Sequence, residues 1–159
     1  MAVRGFNVSA AVAYARQWAL SRNPRYYNFN GQGGDCTNFI SQCLIAGGAP
    51  MNYTKDTGWY FSSASNRAAA WSSVEHFYRF LTTNKGVGPF GHVVSIEEVR
   101  TGDIIQLSFN GYSFSHTLFV TAVRGGQIFI CTHSYDSLDR ELSTYTYQKL
   151  RVLSIDGVR

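Results

Sequence analysis

Apolar residues change their spacing once along this chain, near Thr101, and that change limits the folds open to it. Before it they recur every three to four positions; after it they alternate. Asn7 or Ser9 can cap a helix running to residue 21, with Val8, Ala11, Tyr14, Ala15 and Trp18 on one stripe. Pro24 ends that segment, and residues 25–34 form a loop rich in Tyr, Asn and Gly. A second helix is expected from Cys36 to Ala46, burying Phe39, Ile40, Cys43 and Leu44. Gly47-Gly48 stops it and Pro50 follows. Ser72-x-x-Glu75 reads as a capping box ahead of Val74, Phe77, Tyr78 and Leu81, and residues 84–91 read as loop.

Beyond Thr101 the pattern is that of strands. Residues 103–109 alternate, Asn110-Gly111 is a turn, and residues 116–123 form a second strand. Gly125-Gly126 is a two-residue hairpin connection into a third strand at 127–133. Residues 142–155, with Tyr145, Tyr147 and Val152, supply one or two more. Helices followed by an antiparallel sheet make an α+β domain. At 159 residues, with no repeat, low-complexity tract or linker, the chain is expected to be one domain spanning 1–159.

Charge and cysteines narrow the setting. The net charge of +4 favours polyanions, among them the teichoic-acid-bearing cell wall, but no dense Lys/Arg cluster marks a nucleic-acid site and none is expected as partner. Met1-Ala2-Val3-Arg4-Gly5 opens no apolar run of signal-peptide length, and no stretch approaches the ~20 apolar residues of a membrane span. Synthesis in the cytoplasm, or excision from a longer protein, is therefore expected, without membrane insertion. Three cysteines argue against a disulfide framework. Cys36 and Cys43 lie two helical turns apart, about 10 Å, too far to bridge. Cys131 sits within an apolar strand as a buried thiol. Zinc would require paired close ligands, which the spacing lacks, so neither metal nor cofactor is expected.

Two placements carry chemistry. Gly33-Gly34-Asp35-Cys36 is a glycine turn leading into a helix, where free N–H groups and the helix dipole act on a thiol. Ser115-His116 opens a β-branched run, placing an imidazole at the mouth of a strand, where it can take and return a proton. The pair is the equipment of a cysteine amide hydrolase. The hairpin suggests a third member. With Gly125 and Gly126 as the loop, Arg124 pairs with Gln127, His116 lies opposite Tyr135 and His133 opposite Leu118. Strand residues two apart share a face, so His133 is expected beside His116 as its orienting partner, with Asp136 in reserve. The Cys36 N–H is the natural oxyanion donor, and Asp35 or Asn38 are candidates to assist. Trp59, Tyr60, Trp71 and Tyr112 are candidates to line a groove, with ordinary packing the favoured reading for Trp71. Cys43, Cys131, His76 and His92 are read as structural or surface residues.

These segments resemble a known family. Trp18-Ala19, Arg22-Asn23-Pro24 and Tyr26-Tyr27 are part of the likeness. So are Gly33-Gly34-Asp35-Cys36-Thr37-Asn38-Phe39-Ile40-Ser41-Gln42-Cys43, Gly58-Trp59-Tyr60, Gly102-Asp103-Ile104-Ile105-Gln106 and Ser115-His116. Together they look like the putative amidase domain family, related to the CHAP and NlpC-like papain-fold peptidoglycan hydrolases. The resemblance runs from about residue 7 to 142 and implies a papain-like fold, with Cys36 as nucleophile, His116 as general base and a polar third residue at His133. It also implies an amide bond of bacterial peptidoglycan as substrate, as for the catalytic domain of a phage endolysin or an autolysin. N-acetylmuramoyl-L-alanine amidase activity is the expectation, with stem or cross-bridge endopeptidase and cysteine-dependent acyltransferase as alternatives. A wall-binding module with decayed catalytic residues is a further possibility, which the intact Cys36, His116 and His133 disfavour. Peptidoglycan is the expected partner, with a cell-wall-binding domain absent from this chain left open, and the expected site of action is the wall, reached from outside or after holin-mediated release.

Overall fold

A computed structural model describes residues 1–159. Helix α1 (Val8–Trp18) begins where the Asn7 side chain accepts the Ala10 N–H at 3.0 Å, and it buries Ala11, Val12 and Ala15. Helix α2 (Cys36–Ala46) is buried from Cys36 through Leu44. A helix without a polar face belongs inside a core, and α2 packs against α1, a short helix α3 (Ala69–Ser72) and the sheet. The expected capping box is replaced by a break. Ser72 ends α3, Ser73 is extended, and α4 (Val74–Thr83) starts beyond it, with Ser73 Oγ held by His76 Nδ1 at 2.9 Å.

A small hairpin, β1 (Phe61–Ser63) with β2 (Asn66–Arg67), lies between α2 and α3. The main sheet contains β3 (Pro89–Val94), β4 (Ile104–Ser108), β5 (His116–Arg124), β6 (Gln127–Thr132), β7 (Ser137–Glu141) and β8 (Lys149–Val158). Its order is β3-β8-β4-β5-β6-β7, antiparallel throughout, so the last strand enters the sheet between β3 and β4. The architecture is α+β. Besides the small hairpin, two strands of the main sheet were not legible in the pattern. β3 begins inside the stretch read as loop, because its pairing with β8 comes from far along the chain. β7 carries Asp139, Arg140 and Glu141, which hide a strand on the sheet edge.

Each face of the sheet buries its own cluster. Ile104, Phe119, Cys131 and Leu153 meet the helices with Phe39, Ile40 and Cys43. Ile105, Leu107, Leu118, Val120, Ile130 and Val152 lie on the other face, under Ile96, Val99, Tyr145 and Tyr147. β4 is buried on both faces for this reason.

The β5–β6 hairpin corrects the sequence argument. Gly125 and Gly126 have φ of +57° and +79°, the tight turn expected, and Arg124, Val123 and Ala122 pair with Gln127, Ile128 and Phe129. Thr121 is then an extra residue. Val120 pairs with Ile130 and Phe119 with Cys131, a shift of one position. A bulge of one residue exchanges faces for everything beyond it. His116 therefore shares its face with Leu118 and Val120, whereas His133 shares its face with Cys131 and points toward α2. The two histidines are on opposite sides of the sheet.

Candidate active site

Cys36 is the first residue of α2 and is 6% exposed, whereas Cys43 and Cys131 are 0% exposed; all three are free thiols. The turn before it requires glycine. Gly33 and Gly34 have φ of +92° and +97°, and a Cβ on Gly34 would lie 3.3 Å from Ser134 Oγ. That hydroxyl accepts the Asp35 N–H at 2.8 Å and ties the turn to the β6–β7 loop. Ser134 and Tyr135 both adopt left-handed backbone, with φ of +62° and +68°, a conformation that non-glycine residues hold only under tertiary constraint.

The carboxylate of Asp35 does not cap α2. Oδ1 accepts the Phe29 N–H and Asn38 Nδ2, both at 2.8 Å, and Oδ2 meets His133 Nδ1 at 2.6 Å. His133 Nε2 lies 2.8 Å from Trp18 O, a group that can only accept, and its ring stacks on Phe39 at 4.1 Å. Arg22 Nε lies 3.2 Å from Asp35 Oδ2, and Arg22 grips Asp136 with two hydrogen bonds of 2.7 and 3.0 Å. A chain of polar contacts thus runs Trp18 O, His133, Asp35, Arg22, Asp136 beneath the α2 N-terminus. Both nitrogens of His133 are committed within it, and so is Asp136. Neither residue orients His116, contrary to the sequence argument.

Asn38 is likewise excluded as an oxyanion donor. Its Nδ2 bonds Tyr27 O and Asp35, and its Oδ1 accepts Trp71 Nε1 at 2.7 Å. The backbone donors fare differently. The first intrahelical bond is Phe39 N–H to Asp35 O at 3.0 Å, which leaves the N–H groups of Cys36, Thr37 and Asn38 without a backbone acceptor.

Cys36 and His116 line one cavity of about 360 Å³, with Ser115, Phe109, Tyr135, Arg140 and Tyr145 around them. A second cavity of about 410 Å³ on the other side of Cys36 is bounded by Phe29, Gln32, Arg67, Ser72 and Val74. Gly33, Gly34, Cys36 and Ser115 belong to both, so the thiol stands at the waist of a two-lobed cleft. No hydrogen bond joins Sγ to His116; the side chain nearest in bonding sense is Thr37 Oγ1 at 3.9 Å. Burial pushes the Cys36 thiol above its ordinary pKa, against the smaller opposing pull of hydrogen bonds from Thr117 and Thr37. Burial, aided by the charge of Arg140, lowers His116 to about 4. Unligated, the pair is a neutral thiol beside a neutral imidazole.

Trp59, Tyr60 and Tyr112 do not line this cleft. Trp59 is fully buried with Nε1 on Ser41 Oγ at 2.9 Å, Tyr60 packs on Tyr53, and Tyr112 is 95% exposed on the β4–β5 turn. The aromatic walls are instead Phe29, Phe109, Tyr135 and Tyr145, with Arg67 and Arg140. Trp71 is core, as favoured. No group of three or more His, Cys, Asp or Glu gathers as a metal site, and no helix is long and apolar enough to cross a membrane.

The family model described as Putative amidase domain matches residues 5–155. The chain belongs to that family. Two proteins of Bacillus subtilis (strain 168) are similar to this amidase-family chain. It is 37% identical to the uncharacterized protein YhbB over 131 residues, covering 80% of this chain and 41% of the relative. It is 26% identical to the uncharacterized protein YjcM over 145 residues, covering 86% of this chain and 33% of that relative. The chain therefore spans less than half the length of either. No solved structure matches it significantly. Membership of the family points to hydrolysis of amide bonds.

Proposed function

We propose that this domain is a cysteine-dependent peptidoglycan hydrolase of papain-like type, acting as an N-acetylmuramoyl-L-alanine amidase in an endolysin or autolysin. The observation that carries the reading is the shared cavity of Cys36 and His116, with the thiol at the start of a buried helix whose first N–H groups are unspent.

In this reading Sγ attacks the scissile carbonyl while His116 takes its proton, because neither group is charged beforehand. The developing oxyanion turns to the Cys36 N–H at the helix N-terminus. His116 then gives its proton to the departing amine, leaving a thioester on Cys36, and afterwards draws a proton from the water that hydrolyses it. His116 borders the 360 Å³ lobe and not the other, so the amine half of the substrate lies there and the acyl half in the lobe with Arg67. The wall is the proposed site of action.

The test is digestion of purified muropeptides by wild type and Cys36→Ala, read by mass spectrometry. Peptide-free glycan and free stem peptides with wild type alone support an amidase using Cys36. Cuts within stems or bridges make it an endopeptidase; equal cutting by both proteins removes Cys36 from the reading, and inaction of both removes the wall.

A further inference from the structure

The two lobes beside Cys36 share an electrostatic feature that hydrolysis as such does not require. Each contains one arginine, and neither is lined by Asp or Glu. In the first lobe the Arg140 guanidinium lies 3.7 Å over the Tyr145 ring, with Nε on Thr144 Oγ1 at 2.7 Å and Nη2 on Thr144 O at 3.3 Å. In the second the Arg67 guanidinium lies 4.2 Å over the Phe29 ring, with Nε on Ser72 Oγ at 2.8 Å and Nη1 on Ala64 O. Neither meets a carboxylate within 4.0 Å, unlike Arg16, Arg22 and Arg151. Arg140 keeps Nη1 and Arg67 keeps Nη2 free of any hydrogen bond, while neutral partners hold the rest of each fork.

A guanidinium stacked on an aromatic ring and tethered by neutral acceptors is pre-oriented at little entropic cost, and its charge stays unspent. The carboxylate nearest in sequence to Cys36, Asp35, does not neutralise the cleft: it is fully buried and satisfied by Phe29, Asn38, His133 and Arg22.

We infer that the cleft recognises an amide whose amine half bears an anionic group, of carboxylate chemistry: Arg140 reads it directly, and Arg67 adds positive charge from the acyl lobe, where a lactyl group bears no carboxylate of its own. The inference rests on the amide-hydrolase reading above and makes Arg67 and Arg140 determinants of its specificity. A planar carboxylate suits the free edge of a guanidinium fork.

Two measurements separate this inference from the reading beneath it. The first needs no substrate. Cys36 in the full chain is alkylated with iodoacetate or with iodoacetamide, and the rates are followed by mass spectrometry against N-acetylcysteinamide in solution. Two nearby positive charges favour the anionic reagent by roughly fivefold over the free thiol, a preference that added salt weakens. Arg67→Gln and Arg140→Gln each reduce it, the double variant removes it, and the Arg→Lys pair retains it. A wild-type preference equal to that of the free thiol, or one unchanged in the folded double variant, overturns the inference. The second measurement compares muropeptides with carboxylates intact or converted to carboxamides by carbodiimide and ammonia. Wild-type kcat/KM is expected to fall at least about tenfold on amidation, with a smaller gap in either Gln variant. Equal cleavage of both forms overturns the inference while leaving the amidase reading standing. An alkylation preference with no muropeptide cleaved supports the anion site and discards the wall as substrate.

Discussion

Cys36 and His116 are each held away from their charged forms by burial. This has a direct kinetic signature, because a thiol reacts through its thiolate. Iodoacetamide labelling of Cys36 is expected to rise by roughly tenfold per pH unit from pH 7 and to be still rising at pH 9. A plateau reached below pH 7 would show a preformed thiolate–imidazolium pair and would replace the general-base step with direct attack. Cys43 and Cys131 are fully buried, the latter with its pKa pushed up to about 11, so the label reports Cys36. The turn offers a second prediction at this scale. Gly34→Ala adds a side chain to a left-handed residue and crowds Ser134 Oγ, so it is expected to cost about 1–2 kcal/mol, read from the urea midpoint. Both residues were legible beforehand, since a glycine turn before a cysteine at a helix start is a local pattern. Arg67 and Arg140 were not, because nothing in their own neighbourhoods marks two arginines as flanking one thiol.

Among the elements, the β5–β6 hairpin and α2 decide how the site is supported. The bulge at Thr121 is fastened by its own hydroxyl, which donates to Asp139 Oδ1 at 2.7 Å and lies 3.2 Å from Phe129 O. That fastening sends His133 to the helix side, where it serves the turn before Cys36 rather than His116. A buried carboxylate that loses a hydrogen-bond donor is left partly unsatisfied, even with Arg22, Phe29 and Asn38 still in place. His133→Phe is therefore expected to lower unfolding free energy by roughly 1.5–3 kcal/mol. In Asp35→Asn the Arg22 guanidinium loses a buried carboxylate partner, and the loss is expected to be of similar size. Chemical denaturation of both variants checks this, together with their double-mutant cycle, which should return a coupling well above zero. Were His133 instead an orienting partner of His116, its replacement would spare stability and act on kcat alone. Two-residue alternation cannot disclose a bulge: Thr121 lies between Val120 and Ala122 in an unbroken strand-forming stretch and is set apart by the partner it meets across the sheet.

For the whole molecule, the burial of His116 links the cleft to global stability. Its folded pKa of about 4 lies below the ordinary 6.5, so between those values the unfolded chain binds the extra proton. Stability is fully present above pH 6.5, declines as the pH falls through that window, and has lost its whole share below 4. At 1.36 kcal/mol per pKa unit the share is about 3 kcal/mol at most. His116→Gln is expected to unfold with less loss between pH 6.5 and 4 than wild type, the difference isolating His116 from the carboxylates that also titrate there. Parallel unfolding curves for the two proteins across that range would show that His116 is not desolvated in solution. The sequence by itself determined that helices precede an antiparallel sheet, that a thiol starts the buried second helix, and that a histidine opens the second strand of its β region. Each of these depends on residues close together in the chain, through periodicity, capping and turn chemistry. Tertiary structure alone decided that β8 enters between β3 and β4, that the histidines occupy opposite faces, and that two arginines rather than Trp59, Tyr60 or Tyr112 border the thiol. Those outcomes depend on pairings between distant segments, where a single extra residue in one strand redirects every side chain beyond it.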